Sequence, residues 1–153
     1  MITQDAVGWF ISGKVPTGVG VIYNGYEQET SRAKIVYKVG DLVVKVGAMR
    51  EWNGGIEGEI EGTRRLMKAG INVMPIVEEY IEKAGIGAIA QPVCVPLNEM
   101  PEEAWAHEIA VKIALAVLEI RVQCNAQGVN DIDEHNVGIY EDQLVVFDAG
   151  MCM

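Results

Sequence analysis

Residues 128–150 read GVNDIDEHNVGIYEDQLVVFDAG, and the reading of this stretch governs the reading of the rest. Asp131 is followed five positions later by Asn136, and Asp148 stands twelve positions beyond that. Between them lie two short apolar runs, 137–140 and 144–147, joined by Glu141-Asp142-Gln143. The pattern predicts a tight hairpin with a polar loop before it and a glycine turn after it. Turn and cap chemistry alone accounts for Asp131 and Asn136, and Asp148 ends a strand. The same placement also gathers three oxygen-bearing side chains at one end of a hairpin. Such a set suits a hard cation such as magnesium, which keeps several waters and takes one or two carboxylates with substrate phosphates.

The chain has 153 residues, enough for one domain with a real core. Half of them are apolar and 22% are charged, a globular composition. The net charge of −10 argues against nucleic acid or an anionic membrane as partner, since both bind through an excess of Lys and Arg. It leaves room for a local cationic site for a nucleotide phosphate. Cys94, Cys124 and Cys152 are widely spaced with no CxxC pair, as in a reducing compartment. No basic-then-apolar signal segment opens the chain. The most apolar stretch, 109–122, is interrupted by Lys112, Glu119 and Arg121, too charged to span a bilayer. A cytoplasmic protein is expected.

Working outward, residues 1–13 suggest a short helix, and the Gly-rich run 13–20 leads into a strand at 19–23. That run is neither a Walker loop nor a clean GxGxxG, so a loop and a strand is its simplest reading. Residues 33–39 and 42–46 are β-rich runs around the two-residue turn Gly40-Asp41, a hairpin signal. Leu42, Val44 and Val46 share one face of the second strand, Val43 and Lys45 the other. A lysine inside an apolar strand is costly unless its ammonium meets an anion or snorkels to water.

Residues 51–69 read as a helix, with Ile56, Ile60, Thr63 and Met67 at helical spacing, Leu66 beside them and Gly70 as its stop. Gly54, Gly55, Gly58 and Gly62 each cost about 1 kcal/mol relative to Ala, which favours loop in the first half. Glu59 lies on the edge of the apolar face, with Glu57 and Glu61 nearby. Strands are expected at 73–80 and 86–94, and Pro92 and Pro96 bracket an extended connector at 93–97. Pro101 with Glu102 and Glu103 starts a helix running to about Cys124. That helix is apolar on most sides, as a buried one is, with His107 at the surface.

The strand lysine, the helical glutamate, the extended connector, the buried helix and Asp-x4-Asn-hairpin-Asp occur in the order of the protein-kinase-like superfamily. Asp131, Asn136 and Asp148-Ala149-Gly150 resemble its catalytic loop and Asp-Phe-Gly motif, and Val43 with Lys45 resembles its Val-Ala-x-Lys strand. Residues 59–71 resemble the corresponding helix of RIO-type and phage-encoded members. The nearest types are small phage, RIO and aminoglycoside-phosphotransferase-like proteins.

The resemblance implies an α+β fold: an N-lobe of antiparallel sheet plus one helix (1–92), a hinge-like connector (93–100) and a minimal C-lobe (101–153) holding a buried helix, a catalytic loop and a hairpin. It implies ATP and magnesium as cofactors. Val43 would roof the adenine, Lys45 would hold the α/β-phosphates, and Glu59 would orient Lys45, with Glu57 and Glu61 as competing choices. Backbone groups around Val93 and Val95 would meet the adenine edge. Asp131 would be the base, with Asp133 as the alternative, while Asn136 and Asp148 would hold magnesium.

Three departures stand beside this. Val129 occupies the place of the usual His, and the nucleotide loop is degenerate, with Ser31-Arg32 as a substitute. The sequence stops three residues after Gly150, short of an acceptor-binding lobe. The expected function is a minimal phosphotransferase of unassigned acceptor. The alternative is a pseudokinase-like module docking its acidic surface on a protein partner, a host protein if the source is a phage. A homo-oligomer completing the lobe is a further expectation. A metal-assisted hydrolase on Asp131, Asp133, His135 and Asp148 would lack a recognised ligand spacing.

Overall fold

A computed structural model describes residues 1–26, 34–51, 54–82, 85–99, 107–130, 132–133 and 135–149. The chain forms two compact units, Met1–Glu61 with Pro75–Val93, and Gly62–Met74 with Cys94–Ala149.

The first unit is built on a five-stranded antiparallel sheet of β1 (Gly20–Asn24), β2 (Lys34–Val39), β3 (Leu42–Ala48), β4 (Glu78–Ile81) and β5 (Ile86–Pro92), in the order β1-β2-β3-β5-β4. The turn Gly40-Asp41 sets the register at its centre. It pairs Val39 with Leu42, and each further rung follows, ending with Lys34 opposite Gly47. On the other side of β3, Val44 pairs with Ala90 and Lys45 with Ile89.

Strand alternation then sorts the side chains onto two faces. Tyr37, Val44, Val46, Ala88 and Ala90 pack with Ala6 and Val7 of α1 (Ile2–Ser12). Ile89, on the opposite face, packs with Ile56 and Ile60 of α2 (Gly55–Lys68). The sheet therefore carries a helix on each side. Trp9 of α1 meets Tyr37 edge-on at 5.4 Å between ring centres. Thr3 fixes the start of α1: its N–H and Oγ1 both donate to Glu78 Oε1, at 3.0 and 2.5 Å. These bonds hold the Glu78 carboxyl below its usual range. The strand expected over 73–80 is shorter, Glu78–Ile81. Val73 instead makes one isolated bridge to Val146, and Pro75 has no N–H for a ladder.

In the second unit, β6 (Val95–Pro96), β7 (Val137–Tyr140) and β8 (Gln143–Val146) form a small antiparallel sheet, and a 3₁₀ turn spans Leu97–Glu99. The β7–β8 turn is Glu141-Asp142, with φ of 50° and 62°, the two-residue type whose twist suits a hairpin. The core holds Leu66, Val73, Leu97, Cys124, Val129, Ile132, Val137 and Val146. Against it α3 (His107–Ala126) lays Ile113, Val117 and Ile120.

Two expectations about helix faces are corrected here. α3 is not buried on most sides: Val111, Leu115, Leu118 and Val122 are 45%, 61%, 54% and 62% exposed. The helix has two apolar stripes, and the core of its unit covers only one. In α2 it is Leu66 that is buried, while Met67 is largely exposed, because one helical step of 100° carries it off the face. The predicted helix start at Pro101-Glu102-Glu103 lies outside the described residues. No described helix is long and apolar enough to cross a membrane.

Burial among apolar neighbours pushes the Cys124 thiol up to about 11, because the charged thiolate is disfavoured there. Cys94 is only partly buried. Iodoacetamide at pH 8 is therefore expected to alkylate Cys94 and spare Cys124 in the folded protein. Equal labelling of both, read by peptide mass, would contradict this placement of α3.

Candidate functional site

The first cluster of interest lies in the first unit, where β2, β3 and α2 each send one charged side chain to a common point. Lys45 Nζ donates to Glu59 Oε1 at 2.9 Å. Lys34 Nζ lies 3.3 Å from both Glu59 Oε1 and Oε2. The three residues are 4%, 6% and 3% exposed. Lys45 reaches this point because it shares the α2-facing side of β3 with Val43. Glu59 reaches it because it sits one step before Ile60 and three after Ile56 on the buried face of α2. Taking these charges out of water costs several kcal/mol per ion, offset only by mutual attraction and hydrogen bonds. Glu57 lies on the outer side of the same helix, where its carboxylate pairs with Arg50 at 2.5 and 3.3 Å and is held below the usual range by that hydrogen bond.

Sequence reading passed over Lys34. A signal for it existed: with the turn at Gly40-Asp41 setting the register, Lys34 falls diagonally across from Lys45 on the same face.

The second cluster lies in the second unit. α3 ends in a Schellman-type cap at Gly128: the Val129 N–H reaches the Cys124 carbonyl at 3.0 Å, and the Gly128 N–H the Asn125 carbonyl at 3.1 Å. The chain then enters a loop pinned by buried Val129 and Ile132. Asp131, between them, lies outside the described residues. Asp133 and Asn136 close the loop reciprocally. The Asp133 N–H donates to Asn136 Oδ1 at 3.2 Å, and the Asn136 N–H to the Asp133 carbonyl at 3.0 Å. Asp133 Oδ1 also accepts the His135 N–H at 2.8 Å.

The hairpin then brings Asn136 beside the end of β8. Val137 pairs with Val146, and one rung further the Phe147 N–H donates to the Asn136 carbonyl at 2.9 Å. Asp148 is the next residue. Both Asn136 and Asp148 are partly exposed. Ala149 is buried, and its carbonyl oxygen lies where a Cβ on Gly62 of α2 would stand. The absence of a side chain at Gly62 is what allows this backbone to close on the helix.

Val43 pairs with Lys38 and Gln91 across the sheet and is partly buried. The Val93 N–H donates to the Asp41 carbonyl at 2.9 Å, so that donor serves the end of the sheet. Val95 pairs with Ile139 in the second unit, its side chain exposed. The structure thus brings Lys45 to Glu59, and Asn136 to the neighbour of Asp148. Among the described residues no group of three His, Cys, Asp or Glu side chains is arranged to hold a metal ion. Of the two residues expected to hold magnesium, Asn136 offers an amide oxygen and Asp148 a carboxylate.

No protein-family model matches this chain, and no curated protein matches it. Solved structures do. WbdD is 14% identical with a TM-score of 0.51, over 80% of this chain and 31% of that one. The Cydia pomonella granulovirus kinase PK-1 is 13% identical with a TM-score of 0.51, over 98% of this chain and 57% of that one. A second structure, of the bifunctional kinase-methyltransferase WbdD, is 16% identical with a TM-score of 0.50, over 78% and 30% respectively. The chain spans less than two thirds of the length of each. At these identities the likeness is one of fold, and the fold is α+β and kinase-like.

Proposed function

We propose that this chain is an ATP- and magnesium-dependent phosphotransferase of the kinase type, organised as one kinase-like domain with lobes at 1–92 and 101–153 joined by 93–100. The observation that carries the reading is the buried Lys45–Glu59 pair, 2.9 Å long, on a strand and a helix of a kinase-like fold. In this reading Glu59 holds the Lys45 ammonium in place and Lys45 donates to the α/β-phosphate oxygens. Val43, on the face of Lys45, covers the adenine. With the Val93 N–H engaged by Asp41, the adenine edge is left to the other backbone groups between Pro92 and Val95.

Asn136 and Asp148 are suited to magnesium. Both offer hard oxygen donors, Asn136 is hydrogen-bonded through its carbonyl to Phe147 with Asp148 the next residue, and a site of one carboxylate plus phosphate oxygens and waters is the usual magnesium arrangement. When bound, the ion neutralises charge on the phosphates. Asp131 accepts the proton of the acceptor hydroxyl as that oxygen bonds to the γ-phosphorus and ADP leaves. The use of Asp133 in closing the loop favours Asp131 over it. Catalysis of this kind is mostly positioning and charge stabilisation. It fits a compartment supplying ATP and magnesium, such as the cytoplasm.

Two measurements test this. Millimolar ATP with magnesium is expected to raise the melting temperature of the wild type, since stabilisation follows RT ln(1 + [L]/Kd), and Lys45→Ala should lose most of the shift. With labelled ATP, Asp131→Asn should lower transfer about 100-fold or more while keeping the nucleotide-induced shift, whereas Asp148→Asn should lose the magnesium dependence of both. Transfer unchanged by both Asp substitutions would remove the mechanism.

The exposed stripe Val111, Leu115, Leu118 and Val122 on α3 favours a second reading, a binding module that docks on a partner protein. It predicts a stoichiometric complex without turnover that Leu115→Glu abolishes. Phosphoryl transfer surviving Leu115→Glu, with no complex formed, would exclude it.

A further inference from the structure

We propose that Lys34 is a second phosphate-binding residue, acting with Lys45 on the same polyphosphate; this rests on the nucleotide site proposed above. Lys34 opens β2 opposite Gly47 of β3, and Lys45 lies two residues back along β3. The two lysines are therefore diagonal neighbours on the face that meets α2. Gly47 offers no side chain on that face, so the Lys34 stem can lie across the strand instead of pointing outward. Its ammonium ends 3.3 Å from each oxygen of Glu59, and the Lys45 ammonium ends 2.9 Å from one of those same oxygens. Sharing Oε1 limits the separation of the two nitrogens to at most the two distances laid end to end. That is a spacing adjacent phosphate groups can bridge.

The competing account makes Lys34 a structural counter-ion. Lys45 already fills that role at Glu59 with the shorter contact. A second ammonium at the same carboxylate adds like-charge repulsion and the cost of desolvating another ion, in a place where an apolar residue of similar volume would serve stability as well or better. Both lysines are at least nine-tenths buried, so neither snorkels to water. Two ammonium groups held side by side suit an anion with charges on neighbouring groups, and charge-assisted bonds to phosphate are strong enough to matter individually.

The test is isothermal titration of the whole chain with Mg-ATP, Mg-ADP and adenosine. Lys34→Met is expected to weaken both nucleotides about tenfold or more and to leave adenosine unchanged. Lys34→Arg should restore most of the loss. Lys45→Met should keep a residual ATP affinity that the double Lys34→Met/Lys45→Met variant loses. If the wild type binds ATP and Lys34→Met binds it equally well, Lys34 is structural and the inference falls while the nucleotide reading stands. A loss that extends equally to adenosine also overturns it, as a general distortion. No nucleotide binding by the wild type overturns both readings. Should Lys34→Met not fold, an adenosine-borne sulfonyl fluoride on the wild type decides. Adducts at both Lys34 and Lys45 are the expected result, and adducts at Lys45 alone refute the proposal.

Discussion

Replacing Glu59 with leucine is expected to lower the unfolding free energy by about 3–5 kcal/mol, the usual cost of removing one partner from a buried ionic group. Glu59 is the carboxylate that both Lys34 and Lys45 reach. Its removal brings two buried ammonium groups together without the anion between them, and no leucine packing offsets that. For a chain of this size each kcal/mol moves the midpoint by about 2–4 °C, so a fall of roughly 6–20 °C should appear in a thermal melt. Glu59→Gln keeps the shape and one acceptor oxygen and should fall between. Glu57→Leu is the control: its partner Arg50 is exposed, and its midpoint should stay close to the wild type. A melt of Glu59→Leu within a degree or two of wild type would show that the lysines are not held by this carboxylate.

Gly62→Ala is expected to destabilise the protein although it improves helix propensity. In an open helix the change is worth about 1 kcal/mol of stability. At Gly62 the new Cβ would overlap the backbone carbonyl oxygen of Ala149, with Val129 Cγ2 3.6 Å away. A backbone oxygen cannot rotate aside as a side chain does. The overpacking should cost roughly 1–3 kcal/mol, or more if the strand end is forced off the helix. Since Asp148 adjoins Ala149, the function proposed above further predicts that magnesium-dependent stabilisation by ATP drops as well. Gly8→Ala in α1 is the matched control, because nothing lies within 4 Å of its added Cβ, and it should raise stability. Two Gly→Ala changes in helices would then move the midpoint in opposite directions. A rise for both would mean that Ala149 does not close on α2.

The parts of this fold that were readable in the sequence are those specified by local chemistry. Gly40-Asp41 announces a two-residue turn and Glu141-Asp142-Gln143 a polar one, whose last residue in fact opens β8, and each turn fixes the register of its own hairpin. Ile56 and Ile60 mark the inner face of α2, which places Glu59 beside them. What stayed hidden depends on long-range partners. The pairing of β3 with β5, Leu42 opposite Pro92, has no local signature. Whether the second stripe of α3 is covered cannot be read from apolarity, since Ile113 and Leu115 look alike as letters. Lys34 was missed because a lysine at a strand's first residue reads as solvated, and only the register reveals what it faces. The contact of Lys45 with Glu59 was foreseen through family resemblance rather than from spacing. Asp131, the residue on which the proposed chemistry turns, lies outside the described part of its loop.

The bond from Thr3 to Glu78 joins positions 75 apart in sequence, which bears on how the chain is made. α1 leaves the ribosome long before β4 and β5, yet the sheet face it covers includes Ala88 and Ala90. Until β5 has emerged and paired with β3, the apolar side of α1 has only part of its docking surface. Closing so long a loop comes late in folding, and an exposed apolar helix in the meantime invites misassociation. Synthesis of this protein should therefore pass through a stage in which α1 depends on holdase chaperones, and shortening that stage should raise the soluble yield.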